Sequence, residues 1–113
     1  MKLIVAIIKP FKVTELVDLL HRVPGFPGMT VVSGRGFGRS RGRAADLETS
    51  ANTDFHGHEV VLVAAPEDQA RRLAELIAKA AHTGRPGDGK VLIVPIEAAF
   101  AITTGEQGEL ALG

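Results

Sequence analysis

One segment constrains the fold of this chain more than any other, the run Thr83-Gly-Arg-Pro-Gly-Asp-Gly-Lys90. Its three glycines and one proline lie within eight residues, a composition that suits neither a helix nor a paired strand. The run follows an amphipathic helical pattern and precedes the apolar residues Val91–Val94, so the sequence predicts a loop between two regular elements. Positive φ at Gly87 and Gly89 would turn backbone N–H groups into one concavity, which Lys90 supplements with a positive charge. This chemistry suits a phosphate, although such a run is also typical of a plain connecting turn.

The spacing of Gly84, Gly89 and Lys90 matches most of a Walker A loop, but two features exclude that motif. Val91 stands where a Walker A loop has the Ser or Thr that holds magnesium, and a β-branched run follows where a helix should begin. No second carboxylate is placed to hold magnesium, and the sequence shows no catalytic base. The sequence therefore favours a binding protein over an enzyme.

Hydrophobic periodicity along the rest of the chain predicts an α+β fold in the order β-α-β, long loop, β-α-β. Strands are predicted over residues 3–8, 29–38, 59–65 and 91–96, and helices over about 13–20 and 66–80. A last short segment near Phe100-Ala-Ile-Thr103 follows the fourth strand and precedes a tail of Gly, Glu and Leu residues. Two such halves form a ferredoxin-like, split βαβ-βαβ sandwich with both helices on one face of the sheet. The opposite face would then need a partner.

Composition narrows the class of protein. The 113 residues predict one domain, and the 13 basic and 13 acidic side chains give no general attraction to nucleic acid. The chain has no cysteine, which excludes disulfides and thiolate metal sites. The apolar run at the N-terminus is too short for a signal peptide or a membrane span. We expect a cytoplasmic protein without direct membrane insertion.

Four motifs, in this order along the chain, resemble the markers of the PII nitrogen-regulatory signal-transduction proteins. They are Ala6-Ile-Ile-Lys-Pro-Phe-Lys12, Gly36-Phe-Gly-Arg39, the glycine-rich run at 83–90, and Thr104-Gly-Glu106. The resemblance covers nearly the whole chain. It implies a single PII-like domain over residues 1–113 that forms a homotrimer, with a T-loop at about 39–58 and a B-loop at 83–90. Such proteins regulate a partner, for example a membrane transporter or an enzyme.

The resemblance also implies a site for ATP, ADP or AMP, with or without magnesium, in the cleft between neighbouring subunits. The positions that match the family's nucleotide site are Thr30, Gly36, Gly38, Arg39, Ala64, Gly87, Asp88, Gly89 and Lys90. The T-loop positions expected to bind the regulated partner are Arg41, Arg43, Thr49 and Ser50. On sequence alone, the Gly36-Phe-Gly38 pattern is equally compatible with a purely structural bulge.

Several positions depart from the family pattern. Ala101 and Thr103 stand where most members have two arginines that hold phosphates, and Ala51 replaces a tyrosine that many members have modified. Ser40 replaces the glutamine that helps to bind magnesium and 2-oxoglutarate, and His58 replaces the lysine that pairs with that acid. The resemblance therefore implies a phosphate loop without the usual 2-oxoglutarate site, and it leaves the second small-molecule effector unknown.

The segment His56-Gly-His58 suggests a second kind of site. Two imidazoles at alternate positions of a strand would share one face, and they are sound ligands for zinc, nickel or copper. The alternative to a metal site is that both histidines lie near the start of a strand and bind no ligand. The sequence thus leaves open a PII-like or CutA-like trimer that responds to a metal or an anion, with reduced or no nucleotide binding.

Overall fold

A computed structural model describes residues 1–37 and 56–113, with the side chain of His56 excepted. The strands are β1 (Lys2–Ile8), β2 (Thr30–Gly36), β3 (His56–Ala65) and β4 (Gly89–Pro95). The α-helices are α1 (Val13–His21) and α2 (Glu67–Ala81), and short 3-10 helices span Pro10–Lys12 and Gly108–Leu112. Within the described residues, neither of the two α-helices is long and apolar enough to cross a membrane.

The four strands form one sheet in the order β2-β3-β1-β4, and every neighbouring pair is antiparallel. Ile4 of β1 lies opposite Val63 of β3 on one side and Ile93 of β4 on the other. The element order and the sheet order are those of the ferredoxin-like fold that the periodicity predicts. The α+β prediction is confirmed.

The core lies between one face of this sheet and the two helices. Alternate residues of a strand point to one face, and both central strands place small or branched apolar side chains there. The helices contribute the apolar face that their 3.6-residue period creates. The largest fully buried side chains are Ile4, Ile8, Leu16, Leu20, Val61, Val63, Leu73 and Ile77. All of them are aliphatic, as the shortage of aromatic residues requires.

Neither α1 nor α2 packs on the opposite face of the sheet. The register aligns Leu92, Val5 and Leu62 across β4, β1 and β3 in one row on this side. On the edge strands, Leu92 and Val32 keep 45% and 49% of their surface exposed. This open face is the uncovered surface that the predicted topology requires.

Three strand boundaries differ from the sequence predictions by two residues or more, and the first is the end of β2, which lies at Gly36 instead of residue 38. β3 begins at His56, so the last three positions of the predicted T-loop belong to a strand. β4 begins at Gly89, because Gly89 and Lys90 already pair with Ile8 and Ile7. The short stretch near Phe100–Thr103 leads into a tight turn, and Phe100 forms an isolated β-bridge with Gln107.

Candidate functional site

The glycine-rich loop joins the end of α2 to the start of β4, beside the end of β1. Its glycines adopt left-handed conformations, with φ of 85° at Gly84, 87° at Gly87 and 97° at Gly89. At Gly89 the space is closed as well, because a β-carbon there would lie 1.7 Å from the carbonyl oxygen of Ile7. The loop therefore reaches the sheet by a path that only glycine permits at this position.

The Asp88 carboxylate is turned into the loop. It accepts hydrogen bonds from the backbone N–H of Thr83 at 2.7 Å and of Gly84 at 2.9 Å, and a short one from the Thr83 hydroxyl. The ammonium group of Lys9 lies 3.0 Å from the same carboxylate. Asp88 thus shapes the loop with its side chain, while its backbone N–H has no acceptor among the described residues.

These contacts stabilise the ionised form of the Asp88 carboxyl group. The hydrogen bonds from the Thr83 hydroxyl and the Thr83 N–H hold the pKa of this carboxyl well below its usual range, with further lowering by Gly84 and Lys9. Partial burial acts in the opposite direction but is outweighed. The loop therefore contains a permanent negative charge at neutral pH, compensated by the nearby ammonium of Lys9.

Two other polar groups of the loop have no hydrogen-bond partner among the described residues. Across the described residues, no protein atom accepts a hydrogen bond from the backbone N–H of Gly87 or of Asp88. Lys90 follows at the start of β4 with an exposed side chain. Two adjacent unpaired N–H donors and a nearby lysine are the groups that anion-binding loops offer to phosphate oxygens.

The remaining described positions of the predicted nucleotide site lie in the strands. Thr30 lies opposite Leu62, two positions from Ala64, so Thr30 and Ala64 are diagonal neighbours on the open face. Gly36 lies opposite His56, at the other end of β3 from Ala64. At about 3.3 Å per residue, eight residues of β3 separate these positions by roughly 26 Å. One copy of the chain does not bring them together.

The other predicted site residues lie outside the described part of the chain. These are Gly38 and Arg39 of the predicted nucleotide site and Arg41, Arg43, Thr49 and Ser50 of the predicted partner surface. His56 and His58 are alternate residues of β3, opposite Gly36 and Gly34. Among the described side chains, no cluster of three or more His, Asp or Glu could hold a metal ion. The metal site therefore stays a prediction.

The sequence assigned no role to Lys9, yet its side chain contacts two polar side chains of the loop, those of Thr83 and Asp88. Its ammonium group donates to the Thr83 hydroxyl at 3.2 Å and pairs with Asp88. A signal for this contact exists in the topology, because β4 pairs with β1 and the end of β1 must lie beside the start of β4. The identity of the partner atoms could not be read from that pairing.

The fold and the loop define a class, a ferredoxin-like domain with a glycine-rich loop between its second helix and its last strand. Residues 1–106 match the sequence model of the family described as nitrogen regulatory protein P-II. The chain belongs to this P-II family, whose members are signalling proteins and not enzymes.

Relatives of known name cover nearly the whole chain. A nitrogen regulatory protein P-II of Azospirillum brasilense is 44% identical over 96% of each chain. The nitrogen regulatory protein GlnK of Escherichia coli K12 is 38% identical over 99% of this chain and 100% of its own length. A P-II protein of Bradyrhizobium diazoefficiens is 43% identical over 96% of each chain. The similarity therefore extends through both halves of the fold.

Proposed function

We propose that this protein is a trimeric regulator that binds an adenine nucleotide and controls a partner protein through its T-loop. The observation that carries the proposal is the loop itself, in which the Gly87 and Asp88 N–H groups and the Lys90 side chain remain accessible. Phosphate groups match this arrangement of donors and charge. The name of the family, nitrogen regulatory protein, supports a regulatory role.

The inward position of the Asp88 carboxylate favours an anionic ligand. A free carboxylate in the loop would repel a phosphate, but here each oxygen is engaged by protein donors and by Lys9. The charge of Lys90 is not consumed by a described ion pair, so it stays available. The loop as a whole therefore presents positive potential toward its open side.

The open face and the separation of the site residues both favour a homotrimer. A second copy would bury exposed apolar side chains such as Leu92 and Val32. It would also bring Thr30 and Ala64 of one copy toward the loop of its neighbour, which one chain alone does not do. We propose three equivalent nucleotide sites, each shared by two copies, with Gly36, Gly38 and Arg39 completing them.

The regulatory output is proposed to come from the T-loop. Arg41, Arg43, Thr49 and Ser50 supply charge and hydrogen-bonding groups for a protein partner, which we expect to be a transporter or an enzyme. The replacements at Ser40 and His58 make 2-oxoglutarate an unsuitable second effector. Another anion or a metal would have to serve in its place.

Isothermal titration of the purified protein with ATP, ADP and AMP, with and without magnesium, tests this function. Lys90→Ala should weaken the tightest of these ligands roughly 10- to 150-fold, the value of a charge-assisted hydrogen bond. Lys79→Ala, which removes an exposed lysine of α2, is the matched control and should bind normally. Failure of all three nucleotides to bind would refute the proposal and favour the metal- or anion-responsive trimer.

A further inference from the structure

We propose that Lys9 is a positioning residue that holds the glycine-rich loop in its anion-binding shape, acting through Thr83 and Asp88 rather than by touching the ligand. The proposal rests on the proposed nucleotide site. Lys9 follows the last residue of β1 and is 74 positions from Thr83 in the sequence. It thus links the first strand of the sheet to the loop before the last strand.

The contacts of the Lys9 ammonium group are specific and shielded. Its nitrogen lies 3.2 Å from the Thr83 hydroxyl oxygen and 3.0 Å from the nearer Asp88 carboxylate oxygen. The Lys9 and Asp88 side chains are only 18% and 23% exposed. An ion pair this sheltered holds its geometry better than one between freely solvated side chains.

The aliphatic part of Lys9 also supports the loop. A β-carbon on Gly87 would lie 3.8 Å from Cε of Lys9, so this methylene lies directly against the backbone that presents the open N–H groups. Pro10 follows Lys9 and restricts its backbone to the extended region, where φ is −67° and ψ is 138°. The end of β1 and the restriction by Pro10 together fix the backbone position from which the Lys9 ammonium group reaches the loop.

The local charges explain why a cation is needed at this point. Asp88 must remain ionised to accept three hydrogen bonds from Thr83 and Gly84, but its charge would repel a bound phosphate. The ammonium group of Lys9 compensates this charge. The Nδ1 atom of His82 is farther from the carboxylate, at 3.8 Å, and the His82 side chain is 73% exposed. Lys90 forms no described ion pair with Asp88. Lys9 is therefore the close cationic partner of Asp88.

The neighbouring Lys12 provides a comparison within the same segment. Its ammonium group pairs with Glu15 three residues away at 3.0 Å, in a local contact whose acidic partner is 63% exposed. It makes no described contact with the loop. Lys12→Met therefore removes a lysine and an ion pair without touching the loop, which makes it the matched control for Lys9→Met.

The first test measures ADP and ATP affinity by titration calorimetry in a double-mutant cycle. Lys9→Met and Asp88→Asn should each weaken binding about 10-fold, and the double variant should also be weakened about 10-fold rather than 100-fold. Lys12→Met should bind as the parent does. Losses that multiply in the double variant would overturn the proposal, because they would show that Lys9 contacts the phosphates directly.

The second test needs no nucleotide. Amide hydrogen exchange in the ligand-free protein should be about 10-fold faster at Thr83 and Gly84 in Lys9→Met, and Lys9→Arg should restore part of the protection. Unchanged exchange at both amides would overturn the positioning role. If the parent protein bound no nucleotide, the proposed function would fail, while this measurement would still decide the role of Lys9.

A third variant keeps the proposal testable if Lys9→Met fails to fold. Thr83→Val preserves the shape of the side chain but removes the hydroxyl group that joins Lys9 to Asp88. It should accelerate exchange at Gly84 and weaken ADP binding in the same direction as Lys9→Met. Parent-like behaviour in both measurements would contradict the proposed network.

Discussion

A β-carbon on Gly89 would lie 1.7 Å from the carbonyl oxygen of Ile7, so the loop and the end of β1 meet with no room for a side chain. Gly89 also has φ of 97°, a conformation that side chains disfavour. A side chain at residue 89 would therefore suffer both backbone strain and steric overlap. Both arise because β4 must pair with β1 immediately after a tight turn.

Gly89→Ala should therefore destabilise the fold by roughly 2 kcal/mol or more, since the backbone must move to relieve the overlap. Chemical denaturation followed by circular dichroism measures this change. Gly57→Ala is the control, because a β-carbon at Gly57 meets nothing within 4 Å and its φ is not positive. Equal stability of the two variants would contradict the close approach.

The depressed pKa of Asp88 predicts how the loop responds to acid. Because the folded-state pKa lies below the unfolded value of about 3.9, this carboxylate stabilises the fold above that pH, and the contribution is lost as pH falls through the folded value. Carbon-13 NMR of the carboxyl group should show Asp88 still ionised at about pH 4. An ordinary titration midpoint would mean that Thr83 and Lys9 do not engage it.

The open face of the sheet predicts self-association. Leu92→Glu places a charge at the edge-strand end of this exposed apolar row and should convert a trimer into smaller species, because a buried unpaired charge opposes assembly. Light scattering at micromolar concentration measures the mass. Ala78→Glu, on an exposed position of α2, is the control and should stay trimeric. A monomeric parent protein would contradict the assembly itself.

Local pattern was sufficient to predict most of the fold. The apolar run from Leu3 and the helical spacing after Val13 indicated β1 and α1 to within about one residue, because each has one clear period. Phe100–Thr103 has no such period, so its type could not be predicted, and its turn contains the hydrogen bond from the Ala101 N–H to the Glu106 carbonyl. Composition alone does not distinguish such a turn from a short strand.

The candidate site was less accessible to sequence reasoning. The glycines and Lys90 could be predicted because their backbone and charge chemistry is local. The roles of Lys9 and of the Asp88 carboxylate could not, because they depend on contacts between residues that only the folded sheet brings together. Sequence spacing also does not show that Gly36 and Ala64 lie far apart along β3. That separation becomes visible only with the strand register.

The last prediction concerns the choice between ATP and ADP, for which the turn at Ala101–Glu106 is decisive. Ala101 and Thr103 lack the guanidinium groups that the resemblance assigns to these positions, and each missing contact should cost about 1.5 kcal/mol, roughly tenfold in affinity. The γ-phosphate should lose most, because it carries charge farthest from the N–H groups of Gly87 and Asp88. We therefore expect ADP to bind at least as tightly as ATP.

Thr103 is exposed, so Thr103→Arg can restore one guanidinium group without disturbing the core. This variant should raise ATP affinity about tenfold and ADP affinity less, as measured by calorimetry. Ile102→Arg adds the same charge one position away, on a fully exposed side chain, and should not discriminate between the nucleotides. Strong mutual enhancement of magnesium-ATP and 2-oxoglutarate binding in the parent protein would contradict the prediction, because residues other than Ser40, His58 and Thr103 would then supply the missing groups.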